Sequence, residues 1–403
     1  MLRRYWEKEG GIPPSDKSGD LLPRFAMKTY KFKLYASKRN KCLHQQIELA
    51  CEIYNHCIAL QKRYYRIYGK YISVYTMQKH LTKIKKLPQH KHWCDLNSQA
   101  MQDITERIDR GYKLFFRNLK HGIKTAPPTF KKRIKYKSFT LKQTGYKLLQ
   151  DNQIRIGKHI YKYFKSRGIV GNIKRLTVKR DTLGDIYLFV IVDTTESKSV
   201  ARTGKIVGFD FGLKVFLTAS NGQDVVSPLF FKRSINKISK ASRQVSRKKR
   251  GSNNRRKAKQ NLARLHRKLA NQRTDFNFKL AHRLTDEYDI LIFETLNMKA
   301  MQRLWGRKVS DLAFSSFLNI LQYLAVAKGK QVVFINRFEP SSKTCSGCGY
   351  INHELNLSMR FWCCPECGIQ HDRDRNASYN ILRVGASTLG LGDVTPALLA
   401  VSA

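Results

Sequence analysis

Apolar residues in this chain follow two different spacings, and the switches between them mark its parts. From Thr29 to Ala36, Tyr30, Phe32 and Leu34 alternate with Lys31 and Lys33, the period of a strand with one basic face. From about Leu43 to Tyr68 the spacing becomes helical, with Ile47, Ala50, Cys51, Tyr54, Cys57 and Ile58 on one stripe, and a second helix is expected from about Leu96 to Leu119. Ala126-Pro127-Pro128-Thr129-Phe130 breaks helix, and strand-like runs follow from Lys147 to Ile156 and from Ile186 to Val192. This is a β-domain carrying a helical insertion. Past Thr195 a second unit is expected, with strands at Ile206–Phe211, Val215–Ala219 and Val225–Phe230. Long helices follow, then a strand at Ile290–Thr295, a helix at Ser310–Ala327, a strand at Gln331–Asn336 and a last helix at Arg375–Arg383. The whole reads as a multidomain α+β chain.

Composition changes this picture by naming a partner. The chain has 403 residues and a net charge of +48, with 42% hydrophobic residues, enough to fill cores in two or three domains. Such a charge opposes folding by self-repulsion and attracts polyanions, so nucleic acid is the expected partner. No apolar run of about 18 residues and no signal peptide is evident, which points away from membrane and toward the cytoplasm. Residues 1–26, with Gly10-Gly11 and Pro13-Pro14, lack periodicity and read as a disordered extension, with Met27 an alternative start; residues 391–403 read as a flexible tail.

Nine cysteines divide into two groups. Cys42, Cys51, Cys57 and Cys94 are scattered, as reduced thiols in helix cores would be. Cys345 and Cys348 in CSGC, with Cys364 and Cys367 in CPEC, have the spacing of two knuckles that offer four thiolates to one structural zinc ion. Cys363 competes for a ligand position beside Cys364, and the regular CxxC offset favours Cys364.

Three carboxylates stand out in the same half. Asp210 interrupts the apolar run Val207–Phe211, Glu294 ends the run that starts at Ile290, and Asp374 follows the second cysteine pair in His371-Asp372-Arg373-Asp374-Arg375-Asn376. Three opening strands followed by alternating helix and strand resemble an RNase H-type sheet, in which the first and fourth strands are adjacent. Asp210 and Glu294 would then be neighbours, with Asp374 arriving from the last helix. Oxygen ligands on a rigid frame suit two magnesium or manganese ions about 4 Å apart, which hydrolyse phosphodiesters by activating water and stabilising the leaving oxygen. Between the carboxylates, the stretch Lys232–Lys268 includes Arg247, Lys248, Lys249, Arg250, Arg255, Arg256 and Lys257. Leu262, Leu265 and Leu269 recur there at helical spacing, as expected of a helical hairpin lying along phosphates. Tyr136, Phe139 and Tyr146, set among Lys135, Lys137, Lys142 and Lys147, are candidates for stacking on RNA, with core packing the alternative.

GFDFGLKVF around Asp210, IFETLNMKAM around Glu294, PSSKTCSGCG and HDRDRNASYNI around Asp374 resemble the RuvC motifs and zinc element of the TnpB family. These are RNA-guided nucleases of insertion sequences, related to type V CRISPR effectors. MKTYKFKLY, IYNHCIAL and YKLFFRNLK extend the resemblance over nearly the whole chain after residue 26. It implies a β-barrel-like wedge domain at 27–42 and 122–198, a helical recognition domain at 43–121, and a RuvC-like α/β nuclease domain at 199–390 with a zinc ribbon at about 340–370. It also implies that Asp210, Glu294 and Asp374 are the catalytic metal ligands, with Asp372 the runner-up for the third place. The implied cofactors are magnesium or manganese, structural zinc and a guide RNA, the implied partner is double-stranded target DNA, and one chain per RNA is expected. Gln78, Gln99, Gln102 and Thr140 align with readers of a short motif beside the target. Two rivals remain: a DNA-joining transposase and a non-cleaving guided DNA binder.

Overall fold

A computed structural model describes residues 26–194, 201–212, 215–296, 306, 313–356 and 358–391. The chain divides into two compact units, Met1–Glu196 and Ser197–Ala403. The extension expected at 1–26 and the tail expected at 391–403 lie outside the described residues, apart from Ala26, which opens the first strand, and Leu391.

In the first unit, β1 (Ala26–Lys33), β2 (Ser138–Leu141), β6 (Asn172–Arg180) and β7 (Ile186–Thr194) form an antiparallel sheet in the order β1-β7-β6-β2. A second sheet is the meander β3 (Tyr146–Leu149), β4 (Gln153–Ile156) and β5 (His159–Lys162), and a Leu34–Tyr163 bridge connects the two. Among the described residues these pairings form an open sheet and a meander; closure into the expected barrel is not among them. Tyr30, Phe32 and Leu34 are buried, as their alternation requires.

The insertion consists of α1 (Asn40–Tyr68), α2 (Val74–Ile84), a 3₁₀ helix (Pro88–Asp95) and α3 (Ser98–Lys120). Every expected stripe residue of α1 is buried. The short α2 presents only Met77 and Leu81 to the interior, too little periodicity to read from sequence, and is started by Ser73, whose Oγ accepts from the Thr76 N–H at 3.2 Å. One open choice is decided here and one expectation corrected. Tyr136 and Phe139 are core residues and Tyr146 is half-buried, so the aromatic and basic segment is packing rather than a free stacking surface. Of the four scattered cysteines only Cys51 and Cys57 are buried, because Cys42 and Cys94 fall off the apolar stripe.

The second unit is built on a five-stranded sheet in the order β10-β9-β8-β11-β12. Its strands are β8 (Ile206–Phe211), β9 (Val215–Ala219), β10 (Val225–Val226), β11 (Ile290–Glu294) and β12 (Gln331–Ile335). The first three pair antiparallel, whereas β8, β11 and β12 run parallel, so the first and fourth strands of the unit are adjacent. The third strand is two residues long rather than Val225–Phe230, since Phe230 already begins α4 (Phe230–Arg247). After it come α5 (Asn253–Glu287), α6 (Phe314–Lys328) and α7 (Arg373–Thr388).

Period-two alternation decides which face each side chain takes. Val207, Phe209 and Phe211 of β8, with Leu291 and Phe293 of β11, join the core that contains Leu280 and Leu284 of α5 and Phe314, Phe317 and Leu321 of α6. Ile206 and Ile292 turn the other way, toward Ile381 and Leu382 of α7. That second face is also the face of Asp210 and Glu294.

Candidate active site and zinc element

Asp210 and Glu294 stand near the carboxyl ends of neighbouring parallel strands, one step beyond the last register pair, Phe209 with Phe293. Helix α7 covers this face closely. At Gly208 a Cβ would lie 2.5 Å from the Ser378 carbonyl oxygen and 2.6 Å from the Leu382 nitrogen, so any side chain there would push the helix off the sheet. Gly385 makes the reciprocal approach, where a Cβ would stand 2.3 Å from Ile292. These two glycines bring the first turn of α7, and with it Asp374, to the end of β8.

Burial, reinforced by Asp374 and then Glu294, pushes the Asp210 carboxyl up to about 8. Burial alone pushes Glu294 up to about 7. Asp374 pairs with Arg360, and with Arg373 at 3.3 Å. Asp372 has a different job: its Oδ1 accepts from the Arg375 N–H at 2.9 Å and caps α7. Arg375 in turn reaches Asp224 at 3.0 Å and the Ala219 carbonyl, fastening the helix start to the end of β9.

The cysteine element is a pair of matching knuckles. The Cys345 N–H donates to the Tyr350 carbonyl at 2.8 Å and the Cys364 N–H to the Ile369 carbonyl at 2.9 Å, and each turn closes on a left-handed glycine, Gly349 and Gly368. The four sulfurs of Cys345, Cys348, Cys364 and Cys367 all lie within 4.8 Å of one another, with Cys345 and Cys367, and likewise Cys348 and Cys364, 3.6 Å apart. Sulfurs at about 2.3 Å from a tetrahedral zinc ion are about 3.8 Å apart, so the cluster fits this metal. Cys363 turns away, its thiol 3.2 Å from the Gly368 carbonyl. The hairpin of β13 (Phe361–Cys363) and β14 (Gln370–Asp372) flanks the second knuckle, and β14 runs directly into α7.

Sequence reasoning missed the side chains that couple the two sites. Asn376 donates to the Thr344 carbonyl at 2.7 Å and accepts from the Ser346 N–H at 2.9 Å; Asn380 donates to the Ser341 and Thr344 carbonyls at 2.8 and 2.6 Å. Both are buried, one helical turn apart, and together they clamp the first knuckle onto the helix of Asp374. His371 Nε2 lies 3.1 Å from Cys345 Sγ, with its ring against Trp362. The signal was an Asn-x-x-x-Asn spacing directly after the acidic motif.

The basic stretch is the hairpin of α4 and α5. Arg247, Lys248, Lys249, Arg250, Arg256 and Lys257 are exposed around its turn, Arg255 is half-buried, and no acidic residue occurs between Asp224 and Asp275. Leu269 is buried against the hairpin while Leu262 and Leu265 are half-buried. The four candidate base readers fare differently. Thr140 is buried, with its hydroxyl accepting from Arg107 at 2.6 Å and bonded to Thr177 at 2.9 Å, so it lies inside the fold. Gln99 Oε1 accepts from the N–H groups of Lys142, Gln143 and Thr144, and Gln78 donates to Thr105 at 3.2 Å. Gln102 alone of the four is exposed.

Residues 189–304 match a family described as "Probable transposase" (OrfB_IS605), and residues 314–381 match the "Cas12f1-like, TNB domain". A "Putative RNA-guided DNA endonuclease" of Streptomyces pristinaespiralis is 36% identical over 54% of this chain and 54% of its own length. In Escherichia coli K12 a "Putative RNA-guided DNA endonuclease InsQ" is 27% identical over 91% of this chain and 94% of its own length. The mimivirus "TnpB-like protein L79" is 31% identical over 53% of this chain. In these matches the chain is similar to TnpB-family proteins. It spans about half the length of the Streptomyces relative but nearly all of the E. coli one. Among solved structures, the protein of the Cas12f1–sgRNA–target DNA complex superposes with a TM-score of 0.57 at 14% identity, covering 89% of this chain and 98% of that one, a likeness of fold.

Proposed function

We propose that the protein is an RNA-guided DNA endonuclease that cuts target DNA with Asp210, Glu294 and Asp374. The observation that carries this reading is the meeting of three carboxylates from three separate elements on one face of an RNase H-type sheet, in a strongly basic chain similar to TnpB-family proteins. Divalent magnesium or manganese held there would supply charge neutralisation and water activation. The protein's part is to hold Asp210 and Glu294 on rigid strands and to deliver Asp374 on α7. The raised titration of Asp210 and Glu294, caused chiefly by burial, suits this role, because buried carboxylates gain most from a cation. The four thiolates would hold zinc as a closed structural site and fix the start of α7. The exposed turn of α4 and α5 would track phosphates, which set affinity and register, while guide pairing supplies sequence specificity. The wedge and recognition roles go to the sheet and helices of the first unit. No helix among the described residues is long and apolar enough to cross a membrane.

The test is to co-express the chain with its native flanking DNA, sequence the RNA that purifies with it, and programme cleavage with that RNA. A discrete RNA that directs cutting at matching DNA is the expected result. DNA joining or unguided nicking without any defined RNA would move the assignment to a transposase, and guided binding without cutting would move it to a DNA-binding relative.

A further inference from the structure

Where β1 meets β5, two aromatic rings are stacked in the open. Tyr35 and Phe164 have ring centroids 3.6 Å apart and planes inclined by 23°, yet the residues remain 46% and 47% exposed. The backbone fixes the pair: the Tyr35 N–H donates to the Lys162 carbonyl at 3.0 Å and the Phe164 N–H to the Lys33 carbonyl at 2.8 Å, on either side of the Leu34–Tyr163 bridge. Leu34 and Tyr163 between them point inward and are buried, so the two exposed rings belong to the outer face of a rigid junction. Leaving two aromatic rings in water at such a place forgoes the stabilisation their burial would bring.

The surroundings select the occupant. No Asp or Glu occurs between Ala26 and Ile47 or between Asn152 and Arg180, whereas Lys38, Arg39, Lys162, Lys165 and Arg167 are exposed there. A flat aromatic face set among cations matches a nucleobase and its phosphates. Bases of an intact duplex are already stacked on their neighbours, so an unpaired base is required.

We propose that Tyr35 and Phe164 form a stacking platform for an unpaired nucleobase of the RNA this protein carries, with the flanking lysines and arginines on the adjoining phosphates. The proposal rests on the guided-nuclease reading, because it takes RNA rather than DNA as the occupant. Bases stack on any aromatic face, so the platform holds one position of a folded RNA without reading its sequence.

The experiment uses the RNA that co-purifies with wild-type protein, labelled and titrated against wild type, Y35A/F164A and Y35W/F164W across a salt series. Affinity of the alanine variant is expected to fall about 10-fold at every salt concentration with an unchanged salt slope, and tryptophans are expected to restore it. By contrast, Lys162→Ala with Lys165→Ala should flatten the slope. Ultraviolet cross-linking of the wild-type complex is expected to recover RNA on the peptide of Tyr35 or of Phe164, and this readout decides the matter if the alanine variant does not fold. Alanine-variant affinity within about twofold of wild type, or cross-links at these residues to DNA instead of RNA, would overturn the platform alone. Wild-type protein with no defined RNA would overturn the guided reading before the platform is reached.

Discussion

The two ends of the central sheet in the second unit use the same kind of side chain to opposite effect. At the starting end, Asp289 sits just before β11, and Lys330, buried just before β12, pairs with it while also donating to the Ala201 carbonyl at 2.9 Å. Burial presses the Asp289 carboxyl upward, but Lys330 and the N–H groups of Thr203 and Gly204, at 2.8 and 2.7 Å, hold it well below the usual range. At the finishing end the Phe211 N–H and Arg373 only partly offset burial at Asp210, and burial drives both Asp210 and Glu294 up. One end spends its charge on joining strands. The other opposes ionisation of its buried carboxyls, a cost to stability that a cation would relieve, as expected where a fold gives up stability for chemistry.

The sharpest way to break this contrast is Asp210→Ala. Guided cleavage should fall at least about 10³-fold, while RNA retention and guided DNA binding stay near wild type, because the substitution removes a ligand and leaves the basic surfaces alone. Cutting at the wild-type rate would sink the site assignment. Next in size is Cys367→Ser. Metal analysis should find the zinc lost, and cleavage should fall about 10- to 100-fold as the first turn of α7 loosens its hold on Asp374.

Asp289→Asn tests the opposite end. It should lower stability at pH 7 by about 2 kcal/mol in denaturant melts, through loss of a charge-assisted pair with a buried lysine. The sign with pH follows from a folded value below the unfolded one: the stabilisation is present above the ordinary value of 3.8 and lost as pH falls, so variant and wild type should converge in acid. Asp210→Asn should do the reverse in metal-free protein. Because the folded value lies near 8, far above 3.8, the wild type is most stable below the lower figure and loses stability as pH rises toward the upper one. The amide, which mimics the protonated acid, should therefore gain about 1 kcal/mol on wild type by pH 8, and magnesium should abolish that gain. A gain that is flat with pH would contradict the raised titration.

How much of this could be read in advance varied with how local each feature is. The cysteine knuckles are set by chain spacing alone, since CSGCG and CPECG each build their own turn on a left-handed glycine. The strands of β8 and β11 and the stripe of α1 were visible because a buried face imposes its period on the sequence. Less visible were α2, β5 and the two-residue β10, whose periods are too short to register. The aromatic segment around Tyr136 left stacking and core packing both open, because burial of a ring depends on what covers it, and composition carries no record of that.

By itself the sequence pointed to nucleic acid as the partner, to four of its nine cysteines as two matched knuckles, and to the unusual setting of Asp210, Glu294 and Asp374. Charge, turn chemistry and alternation are properties of neighbours along a chain. Only the tertiary structure decided that α7 approaches β8 closely enough to require Gly208, that Asn376 and Asn380 bind the first knuckle to the helix of Asp374, and that Asp372 caps while Asp374 pairs with arginine. Those outcomes depend on which backbone groups are left unsatisfied when distant elements meet, and that is settled only when the sheet and its covering helix pack together.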